Sequence, residues 1–266
     1  MIKQNNIPTV KLLHGLIEEN KISEFENLSE IWVFGYGSLV WLPKFEYTEK
    51  VTGYITGYDR RFYQGNSTHR GVPGKPGRVA TLLRSESPTA RTYGAAYRLV
   101  GRDQIHAAMD HLNMRESTLG GYILEVDQFT TLPSADSSAI SPKTMSTIPV
   151  VFYVATAEND QFTGHESLEV LALIIATSVG PSGPNRDYLF NLAKWQKEAL
   201  PLVEDDHLYR LEKMTQRVIA AYEKAPTYLP MAPIMAKSSA SSWSPSPVAG
   251  RRRNSFIADK AARSRH

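Results

Sequence analysis

No cysteine occurs anywhere in the 266 residues. That absence removes disulfide frameworks, cysteine-ligated zinc, iron–sulfur clusters and a thiol nucleophile together. It is compatible with a cytoplasmic home, which is the expectation. No apolar run approaches the roughly 18 residues that a membrane-spanning helix needs. The opening Met1-Ile2-Lys3-Gln4-Asn5-Asn6 also lacks the apolar stretch of a signal peptide. Common catalytic signatures are missing too. Gly35-Tyr36-Gly37-Ser38 lacks the third glycine of a dinucleotide fingerprint, Gly74-Lys75-Pro76 lacks the spacing and hydroxyl of a P-loop, and no Gly-x-Ser-x-Gly elbow occurs. His106 and His111 stand five apart, where a shared metal on a helix wants i,i+4. Both read as solvated or hydrogen-bonded histidines.

The chain is long enough for about 1.8 domains at roughly 150 residues each. With 42% hydrophobic and 21% charged residues, it is neither disordered throughout nor membrane-like. The net charge of +3 is unevenly spread: residues 237–266 hold seven basic groups and one acidic, against a net of −3 for residues 1–236. The basic character belongs to a tail. Residues 237–247 hold serine at six positions and proline at two, so residues 229–266 are expected to form no core of their own. Arg252-Arg253-Asn254-Ser255 matches a basophilic kinase pattern of a kind that recurs by chance. The tail's charge could attract nucleic acid weakly, but no aromatic platform accompanies it.

Patterning places an α+β domain at residues 31–228, after an N-terminal helical extension at 1–30. Pro8 with Val10, Leu12, Leu13, Leu16 and Ile17 predicts a short amphipathic helix. Strands are predicted at 31–34, 51–58, 60–64, 78–83, 93–99, 122–129 and 148–155, rich in β-branched and aromatic residues and punctuated by Gly, Pro and Asn. Helices are predicted at 103–114, 167–177, 186–199 and 206–224. Residues 133–146, rich in Ser, Ala and Thr, read as a surface excursion within a hairpin. Strands precede most helices, which favours α+β over alternating βαβ units.

Three features can carry chemistry. Phe34-Gly35-Tyr36-Gly37-Ser38-Leu39 leaves a strand through two glycines. Glycine permits tight or left-handed backbone, so successive N–H groups can turn toward one anion. An ordinary glycine turn is equally compatible with the residues. Arg60–Gly65 and His69–Val79 form a basic, Gly- and Pro-rich loop. Its cations could attract an anionic substrate, but composition alone favours solvated loop charges. Finally, Glu116 follows a predicted helix. There the negative end of the helix dipole, and burial if it occurs, would raise its pKa toward the range of a general base. Taken alone, this residue reads as an exposed loop carboxylate.

In this order and spacing, the three features resemble the ChaC family of γ-glutamylcyclotransferases. The matching segments are 33–41, 60–83, 93–98, Arg115-Glu116 with Gly120-Gly121-Tyr122, and 180–189. They span about residues 31–222. The resemblance implies a small mixed β-barrel with flanking helices. It also implies intramolecular cleavage of glutathione to 5-oxoproline and cysteinylglycine, with neither metal nor organic cofactor. From the residues themselves, neither a membrane nor a specific nucleic acid is expected as a partner. Glu116 corresponds to the catalytic carboxylate. Val33, Phe34, Gly35, Tyr36, Gly37 and Ser38 correspond to the substrate-binding loop. Relatives commonly carry Arg-Glu-Lys-Gly-Gly-Tyr, whereas here Glu116 and Tyr122 are two residues further apart. Some relatives have a second acidic residue where this chain has Ala107. Tyr188 and Arg70 could touch substrate, though a structural role suits them better. Two other readings stay open: a cyclotransferase for other γ-glutamyl amino acids or amines, and a non-catalytic regulatory binding protein on the same fold. Nothing in the sequence speaks to oligomeric state.

Overall fold

The structure is a computed structural model that describes residues 8–118, 121–133 and 145–224. The predicted excursion lies almost wholly outside the described residues, and the tail from 229 entirely so. Five strands close a barrel in the order β1 (Glu30–Gly35), β5 (Arg91–Val100), β2 (Glu49–Thr56), β6 (Ile123–Thr131), β7 (Thr147–Val154). All neighbours are antiparallel except β1 and β7, which close the ring in parallel at Val33↔Val151. β3 (Tyr58–Asn66) and β4 (Gly77–Arg84) form a separate hairpin.

Alternation along the strands divides the apolar residues between two cores. In β1, Trp32 and Phe34 join one cluster while Ile31 and Val33 join the other. In β7, Val150, Phe152 and Val154 go one way and Val151 and Tyr153 the other. The first core contains the rings of Phe34, Phe129 and Phe152, whose centroids lie 5.4 and 6.1 Å from that of Phe34. Such pairs add about 0.5–1.5 kcal/mol beyond the area they bury. The second core is covered by α1 (Val10–Glu18), a 3₁₀ turn at Ile22–Asn27 and α2 (Arg102–Leu112). Leu13 of α1 is fully buried there, and Thr9 caps the helix by accepting from the Leu12 N–H at 3.2 Å.

The remaining helices pack on the first core. These are α3 (Leu168–Thr177), α4 (Asn185–Ala199) and α5 (Asp206–Lys224), with a short ribbon of β8 (Val179–Gly180) and β9 (Gly183–Pro184) leading into α4. The predicted helices and strands thus fall within a few residues of those observed. The 3₁₀ turns and the ribbon carry too few residues to set up a period, so patterning does not reveal them.

Two long-range ties fix this side of the molecule. Arg60 of β3 is buried, with its Nε and Nη2 on Asp205 at 3.1 and 2.5 Å and its Nη2 also on Gln196 at 2.5 Å. Arg78 of β4 is also buried and pairs through Nε and Nη2 with both oxygens of Glu166, at 2.7 and 2.9 Å. Composition favoured solvated charges for this loop. The structure instead buries two of its arginines in hydrogen-bonded ion pairs, because the hairpin lies under the helices rather than on the surface.

Candidate active site

A cavity of about 600 Å³ opens where the loop after β1, strand β4, the end of α2 and the start of α4 meet. Its size suits a small ligand.

Glu116 reaches the cavity from a π-helical turn, Asn113–Thr118, which prolongs α2. It therefore sits inside the last helical turn rather than past the helix end. Such turns recur at functional sites, because the extra residue redirects a side chain. The Glu116 side chain is 17% exposed, and its Oε1 lies 3.1 Å from Arg115 Nε. Burial raises its pKa above the usual carboxylate value, and the Arg115 cation opposes that only in part. The sequence pointed to the helix dipole as one cause; removal from water is the dominant one. The longer segment after Glu116 still returns to the site: the Tyr122 N–H donates to the Glu116 carbonyl at 2.9 Å. Ala107 is exposed on α2.

The glycine loop forms the facing wall. Phe34, Gly35, Tyr36, Gly37 and Ser38 line the cavity, whereas Val33 packs in the second core and does not. Neither Gly35 nor Gly37 has positive φ. They are glycines for lack of room: a Cβ on Gly35 would lie 2.5 Å from Leu39 Cβ, and one on Gly37 would lie 2.6 Å from the Tyr188 hydroxyl. No hydrogen bond among the described residues uses the N–H of Gly37 or Ser38. Those two groups remain available to a ligand. Arg60 reaches the loop from behind, its Nη1 donating to the Tyr36 carbonyl at 2.9 Å. Arg115 joins the two walls by donating from Nη2 to Ser38 Oγ.

Apart from Tyr36, the phenols and histidines of the wall carry no assigned role in the sequence reading. Tyr36, Tyr122 and Tyr188 surround Glu116, and burial pushes all three phenols up, Tyr188 to about 12. Tyr188 and Arg70, for which a structural role was preferred, both line the cavity. His69 and His111 line it as well, each with a buried Nε2 that has no hydrogen-bond partner among the described residues. Burial lowers both histidine pKa values, and the Arg115 cation adds to the effect. His106 is exposed as expected, but the satisfied or solvated reading of His111 is corrected. One turn of α2 separates wall from solvent, and helical spacing alone does not tell which histidine faces inward. The arrangement offers a buried carboxylate, phenols and free N–H groups around one small space. It is suited to moving a proton while holding a polar substrate out of water.

Comparisons with known proteins agree with this architecture. The family model described as ChaC-like protein matches residues 31–218. The glutathione-specific γ-glutamylcyclotransferase 1 of Danio rerio is 39% identical over 186 residues, covering 69% of this chain and 88% of the relative. The human protein of the same name is 39% identical over 178 residues, covering 67% of this chain and 75% of the relative. A crystal structure of a yeast γ-glutamyl cyclotransferase specific to glutathione superposes with a TM-score of 0.62 at 27% identity, over 72% of this chain and all of that one. With the family model spanning well over half of its length, this chain belongs to the ChaC-like family.

Proposed function

We propose that this chain is a glutathione-specific γ-glutamylcyclotransferase, releasing 5-oxoproline and cysteinylglycine. The observation that carries the reading is Glu116, a buried carboxylate of raised pKa that faces the glycine loop across a small cavity. Family membership, with relatives that bear this name, supports it. We assign Glu116 as the general acid–base, and Phe34, Gly35, Tyr36, Gly37 and Ser38 as the wall that holds the γ-glutamyl group. Val33 supports that wall from the second core. A cytoplasmic site of action is part of the same proposal, in keeping with the disulfide-free sequence.

In a γ-glutamyl compound, the attacking amine and the attacked carbonyl belong to one residue. The enzyme needs no nucleophile of its own. It must hold the amine nitrogen about 3–3.5 Å from the γ-carbonyl carbon, and such orientation supplies up to roughly 7–11 kcal/mol. The substrate's α-ammonium gives one proton to Glu116. The free amine then attacks, a new C–N bond closes the five-membered ring, and the carbonyl oxygen gains negative charge. As the original amide C–N bond breaks, Glu116 returns its proton to the departing cysteine nitrogen. The second proton left on the attacking nitrogen follows the same route. A positioned acid–base of this kind contributes about 10²–10⁴-fold.

The test is 5-oxoproline release from glutathione by the full chain and by Glu116→Gln. Release by the wild type, and its loss in the variant, are expected. A wild type that turns over no γ-glutamyl compound would overturn the reading in favour of a binding protein. γ-Glutamyl-alanine, assayed in parallel, measures how strict the substrate choice is.

A further inference from the structure

The proposed chemistry places opposite demands on groups around the substrate. Hydrogen-bond acceptors must face the α-ammonium, and a donor must face the γ-carbonyl oxygen as charge develops on it. Phenol hydroxyls can serve either need, because each has one proton to give and lone pairs to receive with. Their existing partners decide which role remains. The Tyr36 hydroxyl lies 2.6 Å from the Tyr153 carbonyl oxygen, and that of Tyr122 lies 3.1 Å from the Ala80 carbonyl oxygen. A carbonyl only accepts, so both phenols have committed their protons and present lone pairs alone. Tyr188 is wired the other way. Its oxygen accepts from the Ala80 N–H at 3.2 Å, and no acceptor for its own proton occurs among the described residues.

Its position also fits. Tyr188 lies in the first turn of α4 with its ring edge-on to Trp41 and Phe62, centroids 5.3 and 6.1 Å away. Its hydroxyl stands against Gly37, beside the unused loop N–H groups, so closely that a side chain at 37 has no room.

Building on the proposed reaction, we infer that Tyr188 is a catalytic residue whose hydroxyl donates to the γ-carbonyl oxygen, while the Tyr36 and Tyr122 oxygens accept from the α-ammonium. No proton leaves Tyr188 in this step; it lends a hydrogen bond that strengthens as the carbonyl oxygen becomes an oxyanion. The peptide unit on either side of Ala80 sets the polarity. Its N–H turns Tyr188 into a donor toward the cavity, and its C=O turns Tyr122 into an acceptor. A substrate placed amine-to-carbonyl the wrong way round would meet like groups and gain neither set of bonds. The result is that the γ-glutamyl group binds in one orientation.

The experiment compares kcat and KM for 5-oxoproline release from glutathione by the full chain, Tyr188→Phe and Tyr122→Phe. Loss of a donor that acts in the transition state lowers kcat by about 10²–10³-fold with KM little changed. Loss of a ground-state acceptor raises KM instead, so Tyr122→Phe is expected to keep most of kcat. Full kcat in Tyr188→Phe overturns the inference. Should that variant fail to fold, Tyr188→3-fluorotyrosine keeps the ring and both hydrogen bonds but strengthens the donor. A changed kcat supports the role, and an unchanged kcat overturns it. Wild-type release reads the proposed function separately: with an active wild type, a failure concerns Tyr188 alone. With an inactive one, both fall.

Discussion

At Glu116 two opposing influences meet on one carboxylate. Burial disfavours its charge, the Arg115 guanidinium 3.1 Å away favours it, and burial prevails. A base must be ionised to accept a proton, so turnover is expected to fall as pH drops through this raised pKa. The acid limb of kcat/KM therefore lies above the ordinary carboxylate value of 4.5. Arg115→Met removes the opposing cation and should move that limb further toward neutral pH; an unmoved limb would assign it to another group. Glu116→Gln is expected to lose about 10²–10⁴-fold in kcat, since it keeps shape and removes the base. Gly37→Ala tests the close approach at the loop. Its Cβ would lie 2.6 Å from the Tyr188 hydroxyl, so one of the two must move. Misplacement on that scale costs on the order of 10²-fold in turnover, read as kcat against wild type.

Among the elements, the contact between β3 and the start of α5 has the most to lose. Asp205 pairs with Arg60 and also caps α5, its Oδ1 accepting from the Leu208 N–H at 2.9 Å. Burial pushes its carboxyl up, but Arg60 and that N–H together hold it below the usual value. Removing one partner leaves a buried charge uncompensated, at a cost of about 3–5 kcal/mol. Asp205→Asn should show this as an earlier urea midpoint, with reduced turnover because Arg60 also holds the Tyr36 carbonyl. His207, in the first turn of α5, is stacked on Phe62 at 6.0 Å, and burial with the Arg61 cation lowers its pKa to about 4. The unfolded chain takes up a proton near 6.5 that the folded one refuses until about 4. This contribution to stability is complete above 6.5 and is lost as pH falls toward 4. His207→Phe keeps the stacking and should flatten the decline of the urea midpoint across that window; an unchanged slope would show that other groups cause it.

For the whole molecule, both cores and the cavity lie within residues 8–224, in one of the two units into which the chain divides. We propose that a chain ending at Tyr228 retains the turnover of the full chain, since the family match lies at 31–218. Loss of activity on removing 229–266 would give the basic tail a catalytic part. Stability is expected to depend on both cores. Phe34→Ala should cost about 3–5 kcal/mol, because the ring is 1% exposed among Phe129 and Phe152.

The strands and helices were legible in the sequence because period-2 and period-3.6 patterns are local properties of the chain. Glu116 and the glycine loop stood out only through the family resemblance, because each alone reads as an ordinary loop; the structure places both against one cavity. The orientation of His111, the burial of Arg60 and Arg78, and the room denied at Gly37 were not legible. The last three depend on a segment distant in the chain: Asp205 for Arg60, Glu166 for Arg78, Tyr188 for Gly37. Sequence by itself therefore determined the inventory, a cysteine-free chain with one apt carboxylate and a loop rich in glycine. Only the tertiary structure decided what those groups can do. The pKa of Glu116 follows from removal of water, and the polarity of each tyrosine follows from whether it meets a carbonyl or an N–H, and neither is a property of the residue alone.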